Sequence, residues 1–127
     1  MASSVPPLGV HLIAEFYGCS GLDDAEFVRN EMIEAATASG ATVLRADVHN
    51  FGDGFGVTGV VLLAESHISI HTWPEYHYAA IDVFVCGDRA NPQTAVDYLQ
   101  GSFKAARVEI AKCTRGSILV SAASEGA

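Results

Sequence analysis

The segment 65–73, Glu-Ser-His-Ile-Ser-Ile-His-Thr-Trp, sets a serine beside one histidine and close to a second, and a cysteine follows at position 86. A serine hydroxyl attacks a carbonyl only when a base and an oxyanion stabiliser are placed for it. If the fold supplies both, the Ser66 oxygen can convert the Glu65 peptide bond into an ester. Loss of the Ser66 α-proton then eliminates the ester, and hydrolysis leaves a pyruvoyl group and ammonia. The residues predict a chain that cleaves itself between Glu65 and Ser66.

A pyruvoyl ketone is an electrophile that no standard side chain supplies, and its chemistry indicates a reaction class. It condenses with a substrate amine and accepts the electrons released when a carboxylate leaves as carbon dioxide. The product must then be protonated on carbon by a neutral acid, and a thiol keeps its proton near neutral pH. Cys86 is the candidate acid. The residue types therefore predict an amino-acid decarboxylase.

These residues resemble a known family, the prokaryotic S-adenosylmethionine decarboxylases. The similarity is carried by segments 65–67, 70–75, 78–82 and 86–87, and upstream by segments 11–16, 39–42, 49–51 and 56–61. Together they extend over roughly residues 8–112, so only the two ends of the chain fall outside the resemblance.

The resemblance implies a role for each residue of the cleavage machinery. Ser66 becomes the pyruvoyl cofactor, and His71 assists the elimination step of self-processing. Cys86 donates the proton during decarboxylation. Glu65 supplies the carbonyl of the bond that breaks. Thr58 stands where the family usually has a processing serine, and its hydroxyl can make the same hydrogen bond with fewer rotamers.

The resemblance also implies contacts to a nucleoside substrate, S-adenosylmethionine. Phe51 matches an aromatic residue that stacks on adenine, and Glu75 matches a carboxylate that holds the ribose hydroxyls. Trp73, in the same matched segment, is a further candidate for substrate binding. The implied role is supply of the propylamine donor for polyamine synthesis.

Three departures from the family lie near the predicted pocket, and relatives of the family have changed substrate to ornithine or arginine. The loop 52–55 is one residue longer than usual and lacks a proline, Ala64 replaces a serine, and His77 replaces a glycine. A carboxylate at Asp53 could pair with a guanidinium or ammonium group. A solvated aspartate in a glycine-rich turn is the simpler interpretation. Ornithine or arginine is therefore the alternative substrate.

Composition limits the compartment and the partners. The chain has 127 residues, half of them hydrophobic, which suits one domain with a buried core. Its 15 acidic and 7 basic residues give a net charge of −8, which argues against nucleic acid and anionic membranes as partners. No stretch approaches the ~20 apolar residues of a membrane span. Three cysteines without a Cys-x-x-Cys motif are typical of a reducing compartment, so we expect a cytoplasmic enzyme.

Hydrophobic periodicity predicts strands alternating with two helices. The predicted strands cover residues 10–16, 42–50, 59–64, 67–73, 78–85 and 107–113. The first helix is capped by Asp23 or Asp24 and reaches Gly40, and the second covers 91–103. This order indicates an α+β two-layer sandwich, an antiparallel sheet with both helices on one face. The segment after Arg115 is predicted to be a loose tail, apart from a short apolar run.

The predicted sheet has one face without helices, and a partly apolar open face requires a partner. In the family that the sequence resembles, two protomers pair sheet to sheet, and each active site contains residues from both protomers. The resemblance therefore implies a homodimer of processed protomers. Each protomer is a single domain, 1–127, divided by cleavage into a β chain, 1–65, and an α chain, 66–127.

Strand alternation raises a geometric problem at the predicted site. In a regular strand Ser66 lies on the opposite face from His67 and His71, so such a strand cannot join Ser66 to His71. Either the backbone is distorted at the scissile bond or the strand begins later than Ser66.

Two other classes of function compete with the enzyme hypothesis. His67 and His71 have the i, i+4 spacing that chelates zinc on a helix, but in a strand they lie about 13 Å apart. We therefore expect no metal site. A non-catalytic small-molecule-binding subunit would require an uncleaved chain, and the joint presence of Ser66, His71 and Cys86 argues against it.

Overall fold

Strands and two α-helices account for most of this computed structural model, which describes residues 2–121 and the side chains of residues 5–118. The elements are β1 Ala2–Ser4, β2 Gly9–Tyr17, α1 Ala25–Ala38, β3 Val43–Asn50, β4 Val57–Leu63, β5 Ser66–Trp73, β6 Tyr78–Cys86, α2 Pro92–Phe103, β7 Arg107–Arg115 and β8 Leu119–Ser121. A single 3₁₀ turn, Pro74–Tyr76, joins β5 to β6.

Six strands form one antiparallel sheet in the order β3-β4-β5-β6-β2-β7. β1 and β8 pair with each other, and bonds such as Val5 N–H to the Ile118 carbonyl, 3.1 Å, continue the β2–β7 ladder into that pair. α1 packs on β3 and β4, and α2 packs on β2 and β6. The predicted α+β architecture, an antiparallel sheet with two helices, is confirmed.

Local capping explains where each helix begins. The Asp24 side chain accepts the Phe27 N–H at 3.0 Å, so Asp24 is the cap of α1. The Asn91 side chain accepts the Gln93 N–H at 3.0 Å ahead of a proline in the first turn of α2. Both helices start where the sequence predicts.

The core lies between the helices and one face of the sheet. Its largest fully buried side chains include Phe16, Phe103, Met32, Ile68 and Leu99. Burying each contributes about 1.5–3 kcal/mol relative to leaving it exposed.

The predicted strand 59–64 corresponds to β4, and although its residues are almost all apolar, only one of its two faces is buried. β4 alternates, burying Val57, Val61 and Leu63 while Leu62 is 42% exposed, because helices cover only one face of the sheet.

The open face of the sheet is polar and aromatic. By strand register it carries His11, Thr58, His67, Ser69, His71, Trp73, Tyr78, Asp82, Phe84 and Cys86. The Asp82 carboxylate accepts from His11 Nε2 at 3.0 Å and from Ser69 Oγ at 3.4 Å. The side chains predicted to do chemistry therefore share the face that the helices leave uncovered.

The two chain ends pair with each other. The short apolar run that the prediction excepted from the loose tail contributes to β8, Leu119–Ser121, which pairs with Ala2–Ser4, a strand that the sequence did not predict. The rest of the predicted tail, residues 122–127, lies outside the described residues. Within the described part, neither helix has the length and apolarity needed to cross a membrane.

Candidate active site

The bond predicted to break lies in the tight turn between β4 and β5, where Leu63 pairs with Ser66. Two bonds tie this turn to the loop after α1. The Ala64 N–H donates to the Thr42 carbonyl at 2.9 Å, and the Glu65 carboxylate accepts the Thr42 N–H at 2.9 Å. Glu65 is only 7% exposed, and a buried carboxylate needs such a partner. The turn is therefore held in one place relative to the rest of the fold.

Ser66 is the first residue of β5, and its φ is 141°. Residues with a Cβ rarely adopt positive φ, and the conformation costs about 1–3 kcal/mol. Its half-buried hydroxyl lies 3.0 Å from Nδ1 of His67. The strand thus begins at Ser66 itself, with a distorted backbone at the residue predicted to react.

The carbonyl of the bond predicted to break has its own hydrogen-bond donor. The Glu65 oxygen accepts the backbone N–H of Cys86 at 2.7 Å. A donor at this position polarises the carbonyl and stabilises negative charge that develops on its oxygen. Cys86 is the last residue of β6, exposed and free, and Ser66 pairs with its neighbour Val85. The structure therefore brings the predicted nucleophile and the predicted proton donor to the same end of the sheet.

Other predicted site residues gather at the opposite end of β4 and β5. The Thr58 hydroxyl lies 2.5 Å from Nδ1 of His71. The His71 ring packs against Trp73, with centroids 4.2 Å apart, and Phe51 lies 5.8 Å from His71. A cleft here is lined by Phe51, Phe55, Gly56, His71, Thr72, Trp73 and Glu75. Aromatic walls and one carboxylate make this cleft suitable for a planar ligand that carries hydroxyl groups.

A glycine allows the loop before β4 to form one wall of this cleft. A Cβ on Gly56 would lie 1.9 Å from the Thr72 carbonyl oxygen. The Phe51 N–H donates to the Gly56 carbonyl at 3.1 Å, which closes the loop. Only glycine permits this approach, so the position of Phe51 depends on it.

The structure does not bring Ser66 and His71 together within one chain. They lie five residues apart in β5, which corresponds to about 16 Å at ~3.3 Å per residue. The distortion at Ser66 does not shorten this distance, because β5 pairs regularly with both neighbours from His67 onward. The candidate site therefore consists of two groups of residues. We call Glu65, Ser66 and Cys86 the reaction half-site and Phe51, Thr58, His71, Trp73 and Glu75 the binding half-site, after the roles predicted for them.

Two of the three departures from the family pattern, Ala64 and His77, lie outside the cleft lining, whereas the longer loop 52–55 contributes Phe55 to it. Asp53, a predicted substrate contact, is exposed in a turn between two glycines with positive φ. Ala64 is exposed in the scissile turn. The His77 ring donates from Nδ1 to the Cys19 carbonyl at 3.1 Å, on the side of the β2–α1 loop. The structure thus places Asp53 where the solvated-turn interpretation puts it.

Two contacts at this site were not predicted from the sequence. Thr42 anchors the scissile turn through backbone groups, which leave no residue-type signal. His67 contacts the Ser66 hydroxyl although strand alternation predicts opposite faces, because the positive φ at Ser66 breaks the alternation. No cluster of three or more candidate metal ligands occurs among the residues that the structure describes.

The open face also holds a tyrosine with a shifted pKa. The Tyr78 hydroxyl donates to Glu15. Burial raises the pKa of Tyr78, and the Glu15 carboxylate raises it further. Tyr78 therefore stays neutral and acts as a hydrogen-bond donor beside Trp73, whose ring centroid is 5.3 Å away.

Sequence and structure comparisons with known proteins agree with one another. A family model described as S-adenosylmethionine decarboxylase matches residues 10–116. The S-adenosylmethionine decarboxylase proenzyme of Thermotoga maritima is 48% identical over 111 residues, 86% of this chain and 85% of that protein. The proenzyme of Acidithiobacillus ferrooxidans is 45% identical over 113 residues, 87% and 84% of the two chains. The crystal structure of the adenosylmethionine decarboxylase from Aquifex aeolicus superposes with a TM-score of 0.82 at 36% identity, covering 90% of this chain and 95% of that one.

Proposed function

The chain belongs to the S-adenosylmethionine decarboxylase family, and we propose on that basis that it is a self-processing enzyme that removes carbon dioxide from S-adenosylmethionine. One observation carries the proposal. The scissile turn holds Ser66 at φ 141°, and the carbonyl that Ser66 must attack accepts the Cys86 N–H at 2.7 Å. Strain and carbonyl polarisation at one peptide bond are the features that self-cleavage requires.

Cleavage divides the chain into a β chain, 1–65, and an α chain, 66–127, and turns Ser66 into a pyruvoyl group. The half-buried Ser66 lies beside the exposed end of β6, which leaves room for a ketone facing the open side of the sheet. When formed, the pyruvoyl group supplies the electron acceptor for loss of the substrate carboxylate.

The residues of the chain itself handle the proton transfers. Cys86 is exposed, free and one strand away from Ser66, so its thiol can donate a proton to the product. Thr58 fixes the ring of His71 through the 2.5 Å contact to Nδ1, which orients the imidazole for the elimination step.

The active enzyme is a homodimer in which each site combines the reaction half-site of one protomer with the binding half-site of its partner. Within one chain His71 lies about 16 Å from Ser66, so it can assist elimination only from a second copy. Thr58, His71 and Trp73 lie on the open face together with Cys86, and a sheet-to-sheet dimer would cover that face.

Complementation tests this arrangement. Neither Ser66→Ala nor His71→Ala should cleave alone, but in a mixed dimer the Ser66 of the His71→Ala chain meets the His71 of the Ser66→Ala chain. Co-refolding the two variants should therefore yield cleaved His71→Ala chains, which denaturing mass spectrometry resolves. Failure of the mixture to cleave, with a cleaving wild type, would contradict the shared site.

S-adenosylmethionine fits the binding half-site by its chemistry. Phe51 and Trp73 offer faces for the adenine ring, and Glu75 offers acceptors for the ribose hydroxyls. A sulfonium has no hydrogen-bond donor and is attracted by aromatic faces. The product supplies the propylamine group for polyamine synthesis. No observation favours ornithine or arginine, since Asp53 lies outside the cleft.

The experiment that tests the activity is carbon dioxide release from S-adenosylmethionine, ornithine and arginine by one preparation, with Ser66→Ala as the inert control. Release from S-adenosylmethionine alone supports the proposal. Release only from a basic amino acid would move the substrate assignment, and no release by a cleaved chain would overturn the decarboxylase. We place the enzyme in the cytoplasm, where its three cysteines stay reduced as the structure has them.

A further inference from the structure

We propose that His67 is a catalytic residue of self-processing, the base that takes the Ser66 hydroxyl proton when the peptide bond becomes an ester. This inference rests on the proposed function, because it concerns the first step of the same cleavage. It assigns that step to the chain's own histidine and leaves the later elimination to His71.

The geometry that supports His67 is a direct contact. Its Nδ1 lies 3.0 Å from Ser66 Oγ, within the distance at which an imidazole accepts a hydroxyl proton. Among the residues whose side chains the structure describes, no other titratable group forms a hydrogen bond with this oxygen. The His71 of the same chain is about 16 Å away, and its own Nδ1 is engaged by Thr58.

The His67 ring is held for this task by its surroundings. It is half-buried and packs edge-on against Phe84, with ring centroids 5.8 Å apart and planes at 85°. Register places it on the open face, opposite Phe84 on β6 and Leu62 on β4. A ring fixed between two strands keeps Nδ1 directed at Ser66 and lowers the entropy cost of the reaction.

The step balances without any outside reagent. The Oγ–H bond breaks, the proton goes to Nδ1 of His67, and the freed electron pair forms a bond from Oγ to the Glu65 carbonyl carbon. The negative charge moves to the Glu65 oxygen, where the Cys86 N–H stabilises it. The bond from the Glu65 carbon to the Ser66 nitrogen then breaks, and the nitrogen takes the proton back from His67. The products are an ester and a free amine, with His67 regenerated.

The test compares His67→Ala and His67→Asn with His11→Ala as the matched control. His11 also packs against Phe84, with centroids 5.5 Å apart, but its ring bonds to Asp82. Each chain is made by cell-free translation, synthesis is stopped, and the appearance of the 66–127 fragment is followed by denaturing mass spectrometry. Hydroxylamine, which cleaves esters, is added to parallel samples, and His71→Ala is included as the variant expected to stop at the ester.

We expect both His67 variants to fold, as circular dichroism can verify, and to cleave about 10²-fold or more slowly than the wild type. His67→Asn keeps a polar side chain but has no base, so it distinguishes proton transfer from positioning. Added imidazole should partly restore His67→Ala. Hydroxylamine should release fragments from His71→Ala but not from the His67 variants, whereas His11→Ala should cleave at the wild-type rate.

Three results would overturn the assignment while leaving the proposed function intact. They are wild-type cleavage rates in His67→Ala, wild-type rates in His67→Asn, or hydroxylamine-sensitive ester in the His67 variants to the same extent as in His71→Ala. A wild-type chain that never cleaves would instead overturn the proposed function itself.

Discussion

Replacing Glu65 by alanine removes the side chain that ties the scissile turn to the loop after α1. The Glu65 carboxylate accepts the Thr42 N–H at 2.9 Å, and a hydrogen bond to a charged group contributes about 1.5–3 kcal/mol. Ser66, the next residue, has the strained φ of 141°, and we infer that this bond helps to hold it there. With about 2 kcal/mol lost, the unfolding free energy should fall by that amount. If the whole of this free energy favours a relaxed turn over the strained one, cleavage should slow by up to about 30-fold, since ~1.4 kcal/mol changes an equilibrium constant by a factor of ten.

Two measurements separate these effects. Cleavage is followed by mass spectrometry on freshly translated chains, and stability is measured by urea unfolding in the uncleavable Ser66→Ala background. Glu65→Gln keeps a carbonyl acceptor and should cleave faster than Glu65→Ala. Val96→Ala, a fully buried change in α2, matches the stability loss at about 2 kcal/mol. The reasoning is refuted if Glu65→Ala cleaves at the wild-type rate or if Val96→Ala slows cleavage equally.

Three further predictions follow from the same geometry. Cys86→Ala keeps the backbone N–H and should still cleave itself, while its rate of carbon dioxide release should fall about 10²-fold or more. An equal loss of self-cleavage and of carbon dioxide release would contradict the role of the Cys86 thiol as proton donor. Phe51→Ala should raise KM for S-adenosylmethionine about 2- to 10-fold, the equivalent of ~0.5–1.5 kcal/mol of stacking, with kcat little changed in steady-state assays. Burial raises the pKa of the Cys19 thiol from 9.0 to about 11, so the unfolded chain loses this proton first. The stability that Cys19 contributes is therefore complete below pH 9 and lost between pH 9 and 11, and the gap in unfolding free energy between wild type and Cys19→Ala should narrow over that range.

The elements were predictable where local patterns determine them. Asp24 and Asn91 cap helices through their own side chains, so both helix starts are visible in the sequence. The chemistry of residues 65–73 was likewise readable, because a serine, a histidine and a nearby cysteine suggest a specific set of reactions.

The arrangement of the site was less predictable, because it depends on backbone groups and on distance along a strand. The Cys86 N–H reaches the Glu65 carbonyl through strand register, and Thr42 holds the turn through its main chain. Neither depends on residue type. Ser66 and His71 are separated because β5 is regular after its first residue. Side-chain alternation alone did not decide whether the backbone is distorted at the scissile bond or the strand begins later than Ser66.

The intact mass of the purified chain under denaturing conditions shows directly whether the chain processes itself at Ser66. Self-processing should give two fragments, residues 1–65 and an α chain that is lighter than the simple hydrolysis product 66–127 by the mass of one ammonia. An uncleaved chain, or an α chain that begins with an unmodified serine, would contradict it.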